Sequence, residues 1–384
     1  MSDSLFTENA QRLGANPARV VWFLGPRPAS WNGVMQYSLD CIEMMSAFPN
    51  FAIDTIDIPA EPRSFKRYWL QLVIYPLRAI AAARSSSLVV LYQEDLSFLI
   101  PIIRLAGGRV CMILHHVQHR GQARGPIETL KNGYIRLMQP LVATADLVLS
   151  PSDVTACEAC SDIAVPAERS HVVPVAFDGR FAPVNTAVRR EARATLKAQF
   201  DVSIRDELVL LNVGTDESRK NNATLFRALA LLGRKDVIVL RVGRAQNAAN
   251  RQECRELANA AGVKVHFIEG ARDEEMGCFY QAADVYVSPT LQEGFGRTVI
   301  EAQLVGIPVI ASDLPVYRST MGDSFLPVAG LTDPVAWAAS IGQLAANPSL
   351  SAELVQRGYV NAKRFSPSVV GALLCRTFNR AVHG

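Results

Sequence analysis

The sequence predicts an α/β fold in two domains, each built on a parallel sheet. Three observations carry that expectation. The chain has 384 residues, more than one ordinary core holds. Short apolar runs recur along it, spaced widely enough for a helix between each pair. One stretch, Val285–Asp313 (VYVSPTLQEGFGRTVIEAQLVGIPVIASD), reads as a complete unit of strand, glycine-bearing loop, helix and strand.

In chain order, Val20–Leu24 is the first buried strand, ended by Gly25-Pro26. The loop after it holds Ser30-Trp31-Asn32-Gly33, and a helix runs from Val34 to about Phe48. Gly33, between first strand and first helix, is where a backbone can come close to a ligand. Phe51–Ile58 alternates as a second strand, and Leu88–Tyr92 and Arg109–Leu114 follow as buried ones. Phe98–Leu105 reads as a short apolar helix, Ala145–Ser150 as a strand, and Ser152 as the cap of the next helix. His171–Val175 is the last strand of this half.

A linker is expected near Phe181–Val188, and Arg189–Phe200 reads as the entry helix of a second domain. Glu207–Val213 opens a new strand series and Ala223–Leu232 is its helix. Val237–Val242 and Val265–Ile268 are further strands, and Met276–Ala283 is a helix. Thr332–Ala346, Pro348–Lys363 and Ser368–Val382 read as the closing helices.

The site chemistry lies in two strand-end loops of the second half. Glu293 sits in the loop Pro289–Gly296 and Glu301 in the first turns of the following helix. One carboxylate can face a ligand above the sheet edge while the other reaches it from the helix. Gly294 and Gly296 permit close backbone approach. The amides of Arg297–Val299 start a helix and are suited to a phosphate. In the other loop, Gly214–Asn221, Arg219 and Lys220 are adjacent cations with the chemistry for a diphosphate, a fork of donors beside a point charge. A sugar nucleotide offers both hydroxyls and phosphates. A dinucleotide fingerprint is a poor fit, because the third glycine would fall at Val299.

Composition bounds the remainder. Hydrophobic residues are 49% and charged ones 20%, with a net charge of +3, which argues against a general nucleic-acid binder. No window reaches the roughly 18 apolar residues of a spanning helix, and the polar start, residues 1–20, lacks a signal pattern. The seven cysteines are odd in number and scattered, which suits a reducing cytosol. Cys157 and Cys160 read as helix cysteines without a metal. Residues 60–140 carry eleven basic and four acidic residues, a local +7. Among them Arg63, Lys66, Arg67, Arg78 and Arg84 interleave with Trp69, Leu72, Tyr75 and Leu77. That mixture suits an anionic bilayer surface, or else a solvated face over a core helix. His115, His116 and His119 do not read as a metal site. The first two fall at a strand end and point to opposite sides, with no Asp or Glu close by in sequence. A histidine at that place is better read as contacting a sugar.

The segment EGFGRTVIEAQLVGIPVIASD, Glu293–Asp313, resembles the signature of glycosyltransferase family 4, retaining enzymes of the GT-B architecture. The resemblance runs from Val20 to the C-terminus, dense over Leu208–Asp313 and faint over Phe51–Arg136. It implies two Rossmann-like domains facing across a cleft. The acceptor would bind in residues 1–185 and the donor in 186–365, and a helix from 366–384 would cross back to the first domain. It implies donor binding by Arg219, Lys220, Glu301, Gly294, Phe295, Gly296, Thr298 and Gly33, with Glu293 and His115 catalytic. His116 stands where the family often has aspartate, so His115 and His116 both remain candidates for the sugar contact. Thr215 and Ser319 depart from the family's usual arginine and glutamate.

The implied reaction is retaining transfer of a sugar from a nucleoside diphosphate sugar to a glycan or lipid-linked acceptor. The Arg219-Lys220-Asn221 type of loop leans toward mannose or rhamnose and surface polysaccharides. No Asp-x-Asp occurs in the chain, so neither metal nor other cofactor is expected. The expected location is cytoplasmic and peripheral at the inner membrane face. The rival readings are a nucleotide-sugar epimerase or hydrolase on the same architecture, and a non-catalytic binding subunit.

Overall fold

The computed structural model describes residues 16–26, 33–60, 64–117 and 133–383. The amino-terminal arm, Ser30–Asn32, Glu61, Arg63, His119, Arg120, Arg124, Glu128 and Lys131 lie outside the described residues. The chain divides into two compact units, Met1–Ala176 with Pro367–Gly384, and Phe177–Ser366. This division comes earlier than the 185/186 boundary read from sequence. The reason is hydrogen bonding: the Phe177 amide donates to Phe365 O and the Val184 amide to Val305 O, so 177–185 is tied into the second unit.

Among the described residues the first unit holds a six-stranded sheet in the order β2-β1-β3-β4-β5-β6, every pair parallel. Its strands are β1 (Ala18–Pro26), β2 (Phe51–Ile58), β3 (Leu88–Leu91), β4 (Val110–Ile113), β5 (Leu147–Ser150) and β6 (Ser170–Val172). The apolar runs LVVL, VCMI and LVLS are buried at every position, as a parallel sheet covered on both faces requires. Helix α1 (Gly33–Ser46) follows β1 and buries Met35, Tyr37, Cys41 and Met45. Between β2 and β3 lies one helical run: α2 (Phe65–Trp69), a π-helical turn (Leu70–Ile74) and α3 (Tyr75–Ser85). A short helix α4 (Ile100–Leu105) precedes β4, and α5 (Asp153–Asp162), capped by Ser152, precedes β6.

The second unit repeats the plan in the order β12-β11-β10-β7-β8-β9. Helix α6 (Thr186–Phe200) leads in. Strands β7 (Leu208–Val213), β8 (Val237–Val242), β9 (Lys264–Ile268), β10 (Val285–Ser288), β11 (Val309–Ser312) and β12 (Leu326–Val328) are all parallel to their neighbours. The helices between them are α7 (Asn222–Leu232), α8 (Ala248–Ala261), α9 (Met276–Ala282), α10 (Arg297–Val305) and α11 (Pro315–Met321), and α12 (Pro334–Ala346) and α13 (Pro348–Ala362) close the unit. Its core joins Leu210, Val239, Val287 and Ile310 of the sheet to Phe226, Trp337 and Leu344 of the helices. Strand β7 comes first in sequence and sits in the middle. Later strands are laid down on one side of it and then on the other, so the order reverses between β7 and β10.

The last helix, α14 (Pro367–His383), belongs to the first unit. Phe378 is fully buried, stacked on Trp22 of β1 at 6.0 Å and edge-on to Phe51 of β2 at 6.3 Å. Arg109 donates to the carbonyls of Ala381 and Val382 and so caps the helix end. Phe378→Ala is expected to destabilise the first unit by about 3–5 kcal/mol. Denaturant unfolding should show an earlier first transition and an unmoved transition for the second unit.

Candidate functional site

Ligands of open α/β sheets bind outside the carboxyl ends of strands where strand order reverses. In the second unit that point lies between β7 and β10. The loop after β7, Gly214–Asn221, carries the cations, and the loop after β10, Pro289–Gly296, carries Glu293. The two loops are stitched together through their backbones. The Leu291 amide donates to Arg219 O at 2.7 Å, and the Thr290 hydroxyl donates to the same oxygen at 3.0 Å. Asn221, in the left-handed region at φ 52°, donates through its side chain to Pro289 O at 3.0 Å and Leu331 O at 2.8 Å.

This stitching brings the charged groups together. Lys220 Nζ lies 2.5 Å from Glu293 Oε2, and Arg219 Nη1 lies 3.7 Å from the same oxygen. Both partners of the closer pair are about four-fifths covered, with side chains 18% and 21% exposed. Burial works to raise the Glu293 carboxyl. The charges of Lys220 and Arg219, the Lys220 hydrogen bond and the Gly294 amide outweigh it and hold the group at about 2. Glu293 is therefore an anion at neutral pH. Arg219 also pairs with Glu217 at 2.8 Å.

The other residues singled out from sequence are placed as follows. Glu301 is buried inside α10. It accepts the Tyr280 hydroxyl at 2.7 Å and lies 3.8 Å from Arg297. Burial raises its carboxyl, against the pull of Arg297 and Tyr280. Gly296 has φ +91°, and a Cβ there would stand 2.5 Å from the Tyr317 ring. Phe295 is buried in an aromatic cluster with Phe177 and Phe365. Thr298 is half-buried at the start of α10. The amide read as a free helix-start donor at Val299 is turned onto Gly296 O at 3.3 Å, because the loop closes a tight turn there. Gly33 begins α1 of the first unit, and His115 and His116 follow β4 of the same unit.

The two histidines differ. His115 is buried, its Nε2 is 3.0 Å from Tyr92 O and its ring sits edge-on to Tyr37. Burial lowers its pKa. His116 is half-exposed, and its Nδ1 lies 3.3 Å from Glu94 Oε1. The sequence showed no acid near this pair, yet the 3₁₀ turn after β3 brings Glu94 there. Among the described residues no group of three His, Cys, Asp or Glu side chains could hold a metal.

Sequence reasoning missed the layer beneath the basic loop. Asp216 is buried and receives Arg241 Nη2 at 2.7 Å and Arg251 Nε. Arg241, also buried, donates to Gly214 O and Val242 O at 2.8 Å each and to Thr215 O at 2.8 Å. Arg251 continues to Gly243 O and Glu269. The strand-end glycines cross so closely that a Cβ on Gly243 would stand 1.7 Å from Gly214 O. The signal was available: Arg241 interrupts the apolar run VIVLRV, and a charge inside a buried strand needs a partner. Asp216→Asn is expected to cost about 3–5 kcal/mol, because it leaves two arginines short of one buried counter-charge. The readout is the unfolding transition of the second unit.

Residues 196–361 match the sequence model of the family described as glycosyl transferases group 1. The chain is 28% identical to the D-inositol 3-phosphate glycosyltransferase of Salinispora tropica over 243 residues, which cover 59% of this chain and 49% of that one. It thus spans about half the length of this curated relative. In fold it is similar to the sucrose-phosphate synthase of Thermosynechococcus elongatus, with TM-score 0.75, 19% identity, and coverage of 94% of this chain and 98% of that one. It is also similar to HepE of Anabaena in complex with UDP-glucose, with TM-score 0.74, 16% identity, and coverage of 94% and 100%. The two sheets and their helices are those of the GT-B architecture.

Proposed function

Taking the second unit to be a group 1 glycosyl transferase domain, we propose that the protein transfers a sugar from a nucleoside diphosphate sugar to a hydroxyl-bearing acceptor, with retention at the anomeric carbon. The observation that carries this reading is the convergence of Lys220, Arg219 and Glu293 at the reversal of strand order. Arg219 and Lys220 hold the diphosphate. Glu293, kept anionic, meets the hydroxyls of the transferred sugar or the positive charge that develops on its ring. Glu301 anchors the ribose.

As the bond between the anomeric carbon and the phosphate oxygen breaks, negative charge grows on the leaving diphosphate. Fixed cations stabilise it without reorganising. The leaving phosphate oxygen takes the acceptor's proton on the face from which it departs, and the new bond forms on that same face. The two cations supply the charge neutralisation, so the reading requires no metal. The acceptor falls to the first unit. There His116, half-exposed and braced by Glu94, is better placed than buried His115 to meet a hydroxyl. The S. tropica relative is named for an inositol phosphate acceptor. We extend that class here to a glycan or lipid-linked polyol, with mannose or rhamnose as the sugar and surface polysaccharide as the product.

The acceptor's class is supported by a second surface. The run Phe65–Ser85 holds no acidic residue. It exposes Phe65 at 84%, Leu77 at 62%, Leu72 at 55% and Trp69 at 48%, with Lys66 and Arg78 exposed beside them. Apolar side chains flanked by cations suit an anionic bilayer. No helix of the described residues is long and apolar enough to cross a membrane, so contact would be from one side.

Titration of UDP, GDP, dTDP and ADP against the full chain should raise its melting temperature with at least one of them. Lys220→Ala should weaken that nucleotide's binding by roughly tenfold or more, since it removes a charge-assisted phosphate contact. No response to any of the four sinks the reading. In flotation assays the protein should bind vesicles containing phosphatidylglycerol and not vesicles of phosphatidylcholine alone. Replacing Phe65 and Trp69 together by Glu should abolish flotation, and an unchanged double variant would remove the bilayer from the proposal.

A further inference from the structure

The basic loop contains an acid that works against its own chemistry. Glu217 stands directly before the 3₁₀ turn Ser218–Lys220. Its Oε2 lies 2.8 Å from Arg219 Nη2 and accepts the Thr215 hydroxyl at 3.1 Å. The side chain is 41% exposed, and the loop has supports besides it. Arg241 supports the loop from below through the carbonyls of Gly214 and Thr215, and Asn221 from the side. What Glu217 does is place a fixed negative charge against the arginine that phosphate must use.

We propose that Glu217 is a specificity-determining residue of the donor site, which disfavours the spent nucleoside diphosphate more than the intact sugar nucleotide. The inference rests on the donor-site reading above. The diphosphate of a sugar nucleotide is esterified at both ends and carries about two negative charges. Once the sugar leaves, the terminal phosphate ionises further, with a second pKa near 6, and the product approaches three. Coulomb repulsion scales with that charge, so a carboxylate beside Arg219 penalises product about half as much again as substrate. The penalty falls on the ligand that must depart, and product departure is the slow step in many enzymes. Glu293, which also contacts both cations, cannot serve this purpose alone, because it is the group assigned to the sugar.

The test is isothermal titration at low ionic strength on the full chain, comparing wild type, Glu217→Gln and Glu217→Asp. The ligands are whichever of UDP, GDP, dTDP and ADP the wild type binds, and the glucose or mannose conjugate of that nucleotide. Glu217→Gln should tighten the free diphosphate by about two- to fivefold, the scale of one exposed ion pair. It should tighten the sugar nucleotide by less, and both gains should shrink as salt is added. Glu217→Asp keeps the charge and should stay near wild type. A residue that merely shaped the loop would weaken binding when replaced. Unchanged or weaker diphosphate binding by Glu217→Gln, or an equal gain for the two ligands, overturns the proposal. A wild type that binds none of the four nucleotides overturns the donor-site reading itself.

Discussion

The second unit is organised around one ion pair between loops, Lys220 with Glu293 at 2.5 Å, from residues 73 apart in sequence. Neither charge is comfortable alone at four-fifths coverage. Removing an ion so largely covered from water costs several kcal/mol unless a counter-ion and hydrogen bonds replace the solvent. The pair therefore binds the basic loop to the acidic loop, and the arrangement can exist only because β7 and β10 are neighbours. Asn221 and Thr290 add uncharged ties across the same gap. The outcome is a concentration of opposite charges at a sheet edge, held in place before any ligand arrives.

Beneath that pair lies a second, drier layer. Asp216, Arg241 and Arg251 are removed from water and pair with one another and with the carbonyls of the β7 and β8 ends, Arg241 Nε alone among their side-chain nitrogens and oxygens being buried without a hydrogen-bond partner. A side chain on Gly243 would collide with Gly214 O, so the two strand ends pass in contact. A loop that carries Arg219 and Lys220 side by side gains from such a base, because its own charges repel one another. The upper layer is reachable and exchangeable. The lower one is buried and fixed.

The first unit uses the same parallel scaffold for a different surface. Its inner strands β3, β4 and β5 are buried at every position, yet Phe65, Trp69, Leu72 and Leu77 remain outside, on a helical run interrupted by a π-helical turn. The π turn shifts the register of the helix face at its middle. Apolar residues on both sides of it consequently stay exposed, while Gln71 and Tyr75 turn inward. One scaffold thus carries dense polar ties at a sheet edge in one unit and an apolar exterior on a helical run in the other.

Much of this could be read before any coordinates. The buried strands announce themselves as unbroken apolar runs, because both faces of a parallel sheet are covered. The β10–α10–β11 unit, the cations at 219 and 220 and the glutamates at 293 and 301 were legible for that reason. Helix α8 was not. It buries only Arg251, Cys254 and Ala258, so no apolar stripe marks it. Local sequence also could not show that Glu94 reaches His116, that His115 is consumed by Tyr92, or that Phe295 belongs to an aromatic core. Sequence by itself determined the kinds of element and the chemical types available at each strand end, since both follow from nearest neighbours along the chain. Tertiary structure alone decided which charges face each other. Strand order is a long-range property, and only the placement of β7 beside β10 turns two separate loops into one site.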